Sequence, residues 1–205
     1  MTLTETAYAK INLALHVRRR RKDGYHELET LFAFVDAGDE LSAEPAAQDS
    51  VTTLGEFAGV LDNPFDNLVA RALNALPRPQ GLAVTLEKNL PVAAGLGGGS
   101  ADAGAALRLL QKLWALDPDV VRRVAVPLGG DVPVALEGRA ALMQGEGERV
   151  RVQTGLPALP AVLVNPGLDC PTGPVFRAFD AAGGGQEFVA LEALPPFQNV
   201  SDLIN

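Results

Sequence analysis

Four of the six residues in Gly95-Leu96-Gly97-Gly98-Gly99-Ser100 are glycine, and the run lies between two periodic segments. Before it, Leu82, Val84 and Leu86 alternate with other residues, the period of a strand. After it, Ala103, Leu107, Leu110 and Trp114 share one stripe of a helix expected over about Ser100 to Leu116. Glycine adopts positive φ freely and lets a ligand approach the main chain. The first amides of a helix have no partner within it, and the helix dipole adds positive potential there. Such a connection is either a flexible turn or an anion cradle, for which phosphate is the natural occupant. Ser100 can cap the helix and also contact a phosphate or its metal. The run is not a P-loop, because no Gly-Lys-Ser/Thr follows the glycines. It is not a dinucleotide fingerprint either, since Pro91 and a further loop separate it from the strand.

Around this loop the chain reads as a mixture of strands and helices. Ile11, Leu13, Leu15 and Val17 alternate with Lys10, Asn12 and His16, which predicts a strand over 6–17 with the apolar set buried. Lys10 and Asn12 then project side by side from its opposite face. Asp23-Gly24 predicts a turn, and Tyr25 to Val35 a returning strand. A helix is expected over Asp66 to Leu76, capped by Asp66 and stopped by Pro77. Asp117-Pro118 is expected to end the helix after the glycine loop, and Val120 to Val126 to form a short helix closed by Pro127. Strands are expected near 139–144, 148–152 and 160–165, and a helix near 174–181. Gly183-Gly184-Gly185 reads as a linker, and a domain boundary is expected near Gly155.

Composition narrows the partners. The 205 residues carry a formal charge of −8, a poor basis for binding nucleic acid through its phosphates. Five consecutive cations, Arg18 to Lys22, stand against that balance; they form either a solvated hairpin tip or an attractor for a small polyanion. No apolar run approaches the length of a membrane span, and residues 11–17 are too short for a signal peptide. A single cysteine, Cys170, allows no internal disulfide, and a reducing cytoplasm is the expected location. The two histidines lie far from it in sequence, so no metal-ligand spacing is found.

Three further motifs carry polar groups suited to chemistry. Asp131, in Leu128-Gly129-Gly130-Asp131-Val132-Pro133, is either an ordinary turn aspartate or a buried carboxylate able to accept a proton from a hydroxyl. Lys10 is either solvated or placed to hold such a carboxylate ionised and to offset charge on a moving phosphoryl group. In Asp23-Gly24-Tyr25-His26-Glu27, Tyr25 offers a stacking face and His26 directional hydrogen bonds. On a plain strand the two would point to opposite faces and could not share a ligand.

In this order the motifs resemble the GHMP family of small-molecule kinases. Pro91 to Ala101 resembles that family's ATP-binding loop. Ala9-Lys10-Ile11-Asn12-Leu13, Arg21 to Leu31, Leu128 to Pro133, Gly145-Glu146-Gly147-Glu148 and Pro171-Thr172-x-x-Val175-Phe176 resemble its branch acting on a CDP-linked methylerythritol in non-mevalonate isoprenoid precursor biosynthesis. The resemblance implies an α+β chain of the GHMP kinase fold. Residues 1–154 would be a ribosomal-protein-S5-domain-2-like α/β domain, and residues 155–205 part of a ferredoxin-like C-terminal domain. It implies ATP and Mg²⁺ as cofactors and phosphorylation of the substrate's 2-hydroxyl. Lys10 and Asp131 would be the catalytic pair. Pro91, Val92, Ala93, Ala94, Gly95, Leu96, Gly97, Gly98, Gly99, Ser100 and Ala101 would surround the ATP phosphates, with Asn67 near the adenosine. His26 would hydrogen-bond the cytosine, Tyr25 and Phe176 would sandwich it, and Asn12 and Thr172 would add substrate contacts.

The resemblance leaves two departures. Val92-Ala93-Ala94 stands where the family often has Met or glycine, and no third glycine-rich motif of Gly-Ser-Gly type is found before Asn205. The second domain is therefore expected to be incomplete. The alternatives are a truncated ligand-binding form or a fragment of a longer chain without turnover, and another GHMP kinase with a different alcohol. A small-molecule partner is expected, with neither nucleic acid nor membrane; the oligomeric state stays open.

Overall fold

A computed structural model describes residues 2–22, 24, 26–60, 67–145, 147–164 and 172–184, without the side chains of Arg19, Val60 and Thr172. Strand β1 (Leu3–Arg20) and strand β2 (His26–Ala46) form a long antiparallel pair. Strand β3 (Ser50–Leu54), helix α1 (Leu68–Asn74) and strand β4 (Gly81–Glu87) make a βαβ unit with its strands parallel. Helices α2 (Gly98–Trp114), α3 (Pro118–Ala125) and α4 (Val132–Glu137) follow. Strands β5 (Ala141–Gly145) and β6 (Arg149–Val152) form a hairpin, and helix α5 (Thr172–Ala181) comes last among the described elements.

β2 is the axis of the sheet. One edge pairs with β1. The other pairs with β4 over residues 40–46 and with β5 over residues 28–32. Residues 33–39 lie between these two pairings, and the chain leaving β4 enters there. Helices α1 to α4 contribute to one apolar layer with Leu41, Ala43, Leu82, Val84 and Leu86 from the sheet. In this half of β2 the alternation is regular: Leu41 and Ala43 are buried, Glu40 and Glu44 exposed.

The expected burial along β1 is corrected by three irregularities in its register with β2. Between Tyr8 and Lys10 one residue of β1 faces three of β2, and Leu13 and the Arg18–Arg19 segment are further slips. A bulge reverses which face the following side chains meet. The buried residues of β1 are accordingly Ala7 and Ala9, while Leu15 is 50% exposed. Gly38 sits at the first irregularity, where a Cβ would lie 2.7 Å from the Ala7 carbonyl oxygen.

Other boundaries move for local reasons. The α1 cap is Asn67, whose side chain accepts from the Val69 amide at 2.9 Å; Asp66 lies outside the described residues. Asp117-Pro118 does not close α2 but opens α3: Asp117 accepts from the Asp119 amide at 2.8 Å, and Pro118 takes a first-turn position where no amide is needed. α2 ends earlier, at Ala115, in the left-handed conformation. The strand expected near 160–165 is not found among the described residues: residues 153–164 carry no helix or strand, Val162 and Val164 are exposed, and Asn165 lies outside what is described. The cationic run is only partly a tip. β1 continues through Arg20, and Arg18 pairs at 2.7 Å with Glu29, which is 1% exposed. Ala182 and Gly183 form a turn after α5, and the Gly184 amide donates back to the Phe179 carbonyl at 3.0 Å; Gly185 and Cys170 lie outside the described residues.

Candidate active site

The loop after β4 is tied to the sheet at three points. Asp39 of β2 accepts from the amides of Asn89 and Leu90 at 2.6 and 2.8 Å. The Lys10 amide donates to the Leu96 carbonyl at 2.9 Å. Lys88, 3% exposed, makes ion pairs with Asp39 and with Asp102 of α2. The loop therefore leaves the sheet and enters α2 over one buried Asp–Lys–Asp group. Within it Ala93, Gly95 and Gly97 have φ of 58°, 78° and 68°, alternating with residues of negative φ. Such alternation turns successive amides towards a common point, a concavity suited to an anion. Gly97 cannot be replaced without displacement, since a Cβ there would lie 2.8 Å from the Lys10 Cγ.

α2 starts at Gly98 without a side-chain cap. Its first closing bond runs from the Ala101 amide to the Gly97 carbonyl at 2.8 Å. The amides of Gly98, Gly99 and Ser100 precede that bond and face the same end of the helix. Asn67, Leu68, Lys88, Pro91 to Ser100 and Asp102 line a cavity of about 280 Å³. Of the expected loop residues, Pro91 to Ser100 and Asn67 all border it; Ala101 is 3% exposed in the core. The Asn67 side-chain oxygen is already engaged as the cap of α1. Asp102 Oδ1 is buried without a hydrogen-bond partner. Burial raises the Asp102 pKa to about 7 against the pull of Lys88, with Asp39 adding to the rise.

Lys10 lies against the floor of this loop, and its Nζ is 3.4 Å from Asp131 Oδ2 and 3.1 Å from Asn12 Oδ1. The ammonium also stands 5.3 Å from the centroid of Phe32, within cation–π range. Asn12 donates to Thr30 Oγ1 at 2.7 Å, and Thr30 donates to the Ala14 carbonyl at 2.8 Å. Asp131 occupies the residue before α4 but its side chain caps nothing. Its carboxylate is therefore left for Lys10, half-buried with 32% of its side chain exposed rather than fully buried. The turn that carries it is pressed from behind by the β5–β6 connection. A Cβ on Gly147 would lie 2.2 Å from the Gly130 carbonyl oxygen, and Gly147 has a φ of 110°. This is the structural use of the Gly145-to-Glu148 motif.

The structure thus brings Lys10, Asn12, Asp131 and the glycine loop to one place. His26 and Phe176 form a separate group: their rings stack at 4.7 Å and 18°. His26 pairs with Arg20 at the far end of the β1–β2 ladder, whereas Asn12 pairs with Phe32. His26 and Phe32 are six positions apart on β2, on the order of 20 Å along a strand. Tyr25 and the Thr172 side chain lie outside what is described. The sequence reading did not find Thr30, Asp39, Lys88, Asp102 or Asp180. No spacing marks them, because each finds its partner across the fold.

Comparison with known proteins accords with this geometry. Residues 67–139 match the family described as GHMP kinases N terminal domain. The chain is 59% identical over 186 residues to 4-diphosphocytidyl-2-C-methyl-D-erythritol kinase of Novosphingobium aromaticivorans, covering 90% of this chain and 65% of that one. It is 57% identical to the protein of the same name from Erythrobacter litoralis, covering 90% and 68%. A crystal structure of 4-(cytidine 5'-diphospho)-2C-methyl-D-erythritol kinase superposes with a TM-score of 0.72 at 41% identity, over 89% of this chain and 66% of that one. The chain spans about two thirds of the length of these relatives. Its fold is the α+β fold of the GHMP kinases. The chain belongs to the 4-diphosphocytidyl-2-C-methyl-D-erythritol kinase family of GHMP kinases.

Proposed function

We propose that the protein transfers the γ-phosphoryl group of ATP to the 2-hydroxyl of 4-diphosphocytidyl-2-C-methyl-D-erythritol, as an ATP-dependent kinase of non-mevalonate isoprenoid precursor biosynthesis. The observation that carries the reading is the Lys10–Asp131 pair at 3.4 Å, with the Lys10 amide bonded to the glycine loop at 2.9 Å. A base and a cation are thereby fixed against a concavity of free amides. Phosphoryl transfer asks the protein mostly for positioning and electrostatic stabilisation, and this arrangement supplies both. Pro91 to Ser100 hold the ATP phosphates, with Asn67 near the adenosine; Ala101, buried in the core, serves only to close the first turn of α2. Asp131 accepts the proton of the substrate hydroxyl. Lys10 pairs with the Asp131 carboxylate and offsets the charge that builds on the moving phosphoryl group.

His26, Tyr25 and Phe176 bind the cytosine, and Asn12 and Thr172 contact the rest of the substrate. The separation between the His26 group and the Lys10 group, on the order of 20 Å along β2, suits an extended nucleoside-diphosphate ester lying between them. Mg²⁺ would accompany the nucleotide; among the described residues no three His, Cys, Asp or Glu side chains form a metal-binding group. Ser100 and the unpartnered oxygen of Asp102 are the donors lining the cavity that would hold it. The bound ion supplies neutralisation of the phosphate charges. Residues 1–154 are assigned to the nucleotide-binding domain and 155–205 to part of the C-terminal domain. A cytoplasmic location fits this chemistry, and among the described residues no helix is long and apolar enough to cross a membrane.

The position of phosphorylation is open to a direct test. The C2 carbon of the substrate carries a methyl group and no hydrogen. Its phosphomonoester should therefore give a proton-coupled phosphorus-31 line without splitting. A doublet or triplet would place the phosphate on another hydroxyl and contradict the assignment.

A further inference from the structure

The His26 ring is held on several sides by α5. Its Nε2 lies 2.7 Å from Asp180 Oδ1, 154 residues away in sequence. Phe176 covers a face of the ring, and Phe179 approaches in a T-shaped arrangement at 6.1 Å. The other Asp180 oxygen is 3.5 Å from Nη1 of Arg20, the residue paired with His26 across the β1–β2 ladder. The His26 side chain is 6% exposed, so its orientation is set by these contacts. An ionised carboxylate can only accept a hydrogen bond. In the neutral imidazole the proton therefore sits on Nε2, and Nδ1 is left with a lone pair.

We propose that Asp180 is a specificity-determining positioning residue: by fixing the His26 tautomer, it makes the ring an acceptor towards the base, so that the C4 amine of cytosine is taken and the C4 carbonyl of uracil refused. The inference rests on the reading of His26 as the residue that meets the base. Cytosine and uracil have the same outline. Shape alone cannot separate them, and the group at C4 is a donor in one and an acceptor in the other. A site built to receive a hydrogen bond rejects an analogue that cannot make it, because a polar group is then left unpaired. With the proton free to move to Nδ1, the same ring would accept either base.

The test needs binding alone. Calorimetric titration of the full chain with cytidine 5'-diphosphate and with uridine 5'-diphosphate should show a preference for cytidine of about 100-fold or more. In Asp180→Ala the ratio should fall below about fivefold, while affinity for a non-hydrolysable ATP analogue stays as in the parent. Nitrogen-15 spectra of labelled histidine should show the His26 proton on Nε2 in the parent protein and shared between both nitrogens in the variant. A parent that discriminates while Asp180→Ala keeps the full ratio would overturn the role of Asp180 alone. So would a parent ring protonated on Nδ1. A parent that does not distinguish the two nucleotides would overturn the assignment of His26 to the base, and this inference with it.

Discussion

At the scale of single residues, Asp102 is the most consequential group that sequence reading overlooked. In sequence it is an acidic residue near the start of a helix, ordinarily solvated and favourable to the dipole. In the fold it is 3% exposed, with one oxygen on Lys88 and the other unpartnered. Its pKa of about 7 means that the folded protein holds a proton there that the unfolded chain, near 3.8, releases. Stability from this group is thus lost as pH rises between those values and is flat above them. Lys88, whose pKa is raised above 10.5 by its two carboxylates despite burial, is protonated throughout that window. Urea unfolding from pH 5 to 7 should therefore show a decline that Asp102→Asn abolishes, on the order of 2 kcal/mol in the difference between the two proteins. Equal slopes in both would show that Asp102 ionises as readily folded as unfolded.

At the scale of elements, close approach does much of the positioning. α2 reads Ala101-Asp102-Ala103-Gly104-Ala105-Ala106 through its first turns, and this small-residue run lets α4 come against it. A Cβ on Gly104 would lie 2.7 Å from the Ala135 carbonyl carbon and 2.8 Å from the Leu136 amide nitrogen. Arg108 then ties the layers together, donating to Glu5 at 2.8 Å, to the Ala135 carbonyl at 2.6 Å and to the Thr6 carbonyl at 3.0 Å. Because α4 carries Asp131 at its start, its distance from α2 also sets the Asp131 carboxylate against Lys10. Gly104→Ala should cost about 1–3 kcal/mol by forcing the backbones apart. Gly59→Ala, where no atom lies within 4 Å of the added Cβ, should be near neutral. Thermal melts of the two variants make the comparison, and an equally small loss in both would contradict the packing argument.

Elements were legible where their pattern was local and strong. The strand before the glycine loop and the helix after it are both present, because alternation and a leucine stripe each report a buried face. β3 and α4 were missed. Ser50-Val51-Thr52-Thr53-Leu54 is short and polar, and Val132 to Glu137 has a proline near its start and too few turns to show a period. The face of β1 was misread because bulges are set by the partner strand, which a single strand's sequence does not contain. Asp117-Pro118 was misread because one dipeptide can stop a helix or start the next.

At the scale of the whole molecule, the site is an arrangement of distant segments around one long strand. β2 carries His26 at its start, Thr30 and Phe32 under Lys10 and Asn12, and Asp39 under the glycine loop. Lys10 and Asp131 meet only because β1 lies beside β2 and α4 packs over α2. From the residues alone, each had an ordinary reading as a solvated lysine or a turn aspartate. The order of motifs along the chain named them, and the fold supplied the distance between them. The acidic balance of −8 sits comfortably with the proposed anion site, which would be built from amides and a few cations and not from a broad basic surface.

The central claim is that Lys10 and Asp131 act together on the hydroxyl of a CDP-linked alcohol. It is tested most directly by ADP release from ATP with that alcohol as acceptor, comparing the parent chain with Asp131→Asn and Lys10→Ala. The account predicts alcohol-dependent release by the parent, reduced about 10²–10⁴-fold in Asp131→Asn and strongly reduced in Lys10→Ala. Equal rates in all three proteins, at the level seen without the alcohol, would contradict it.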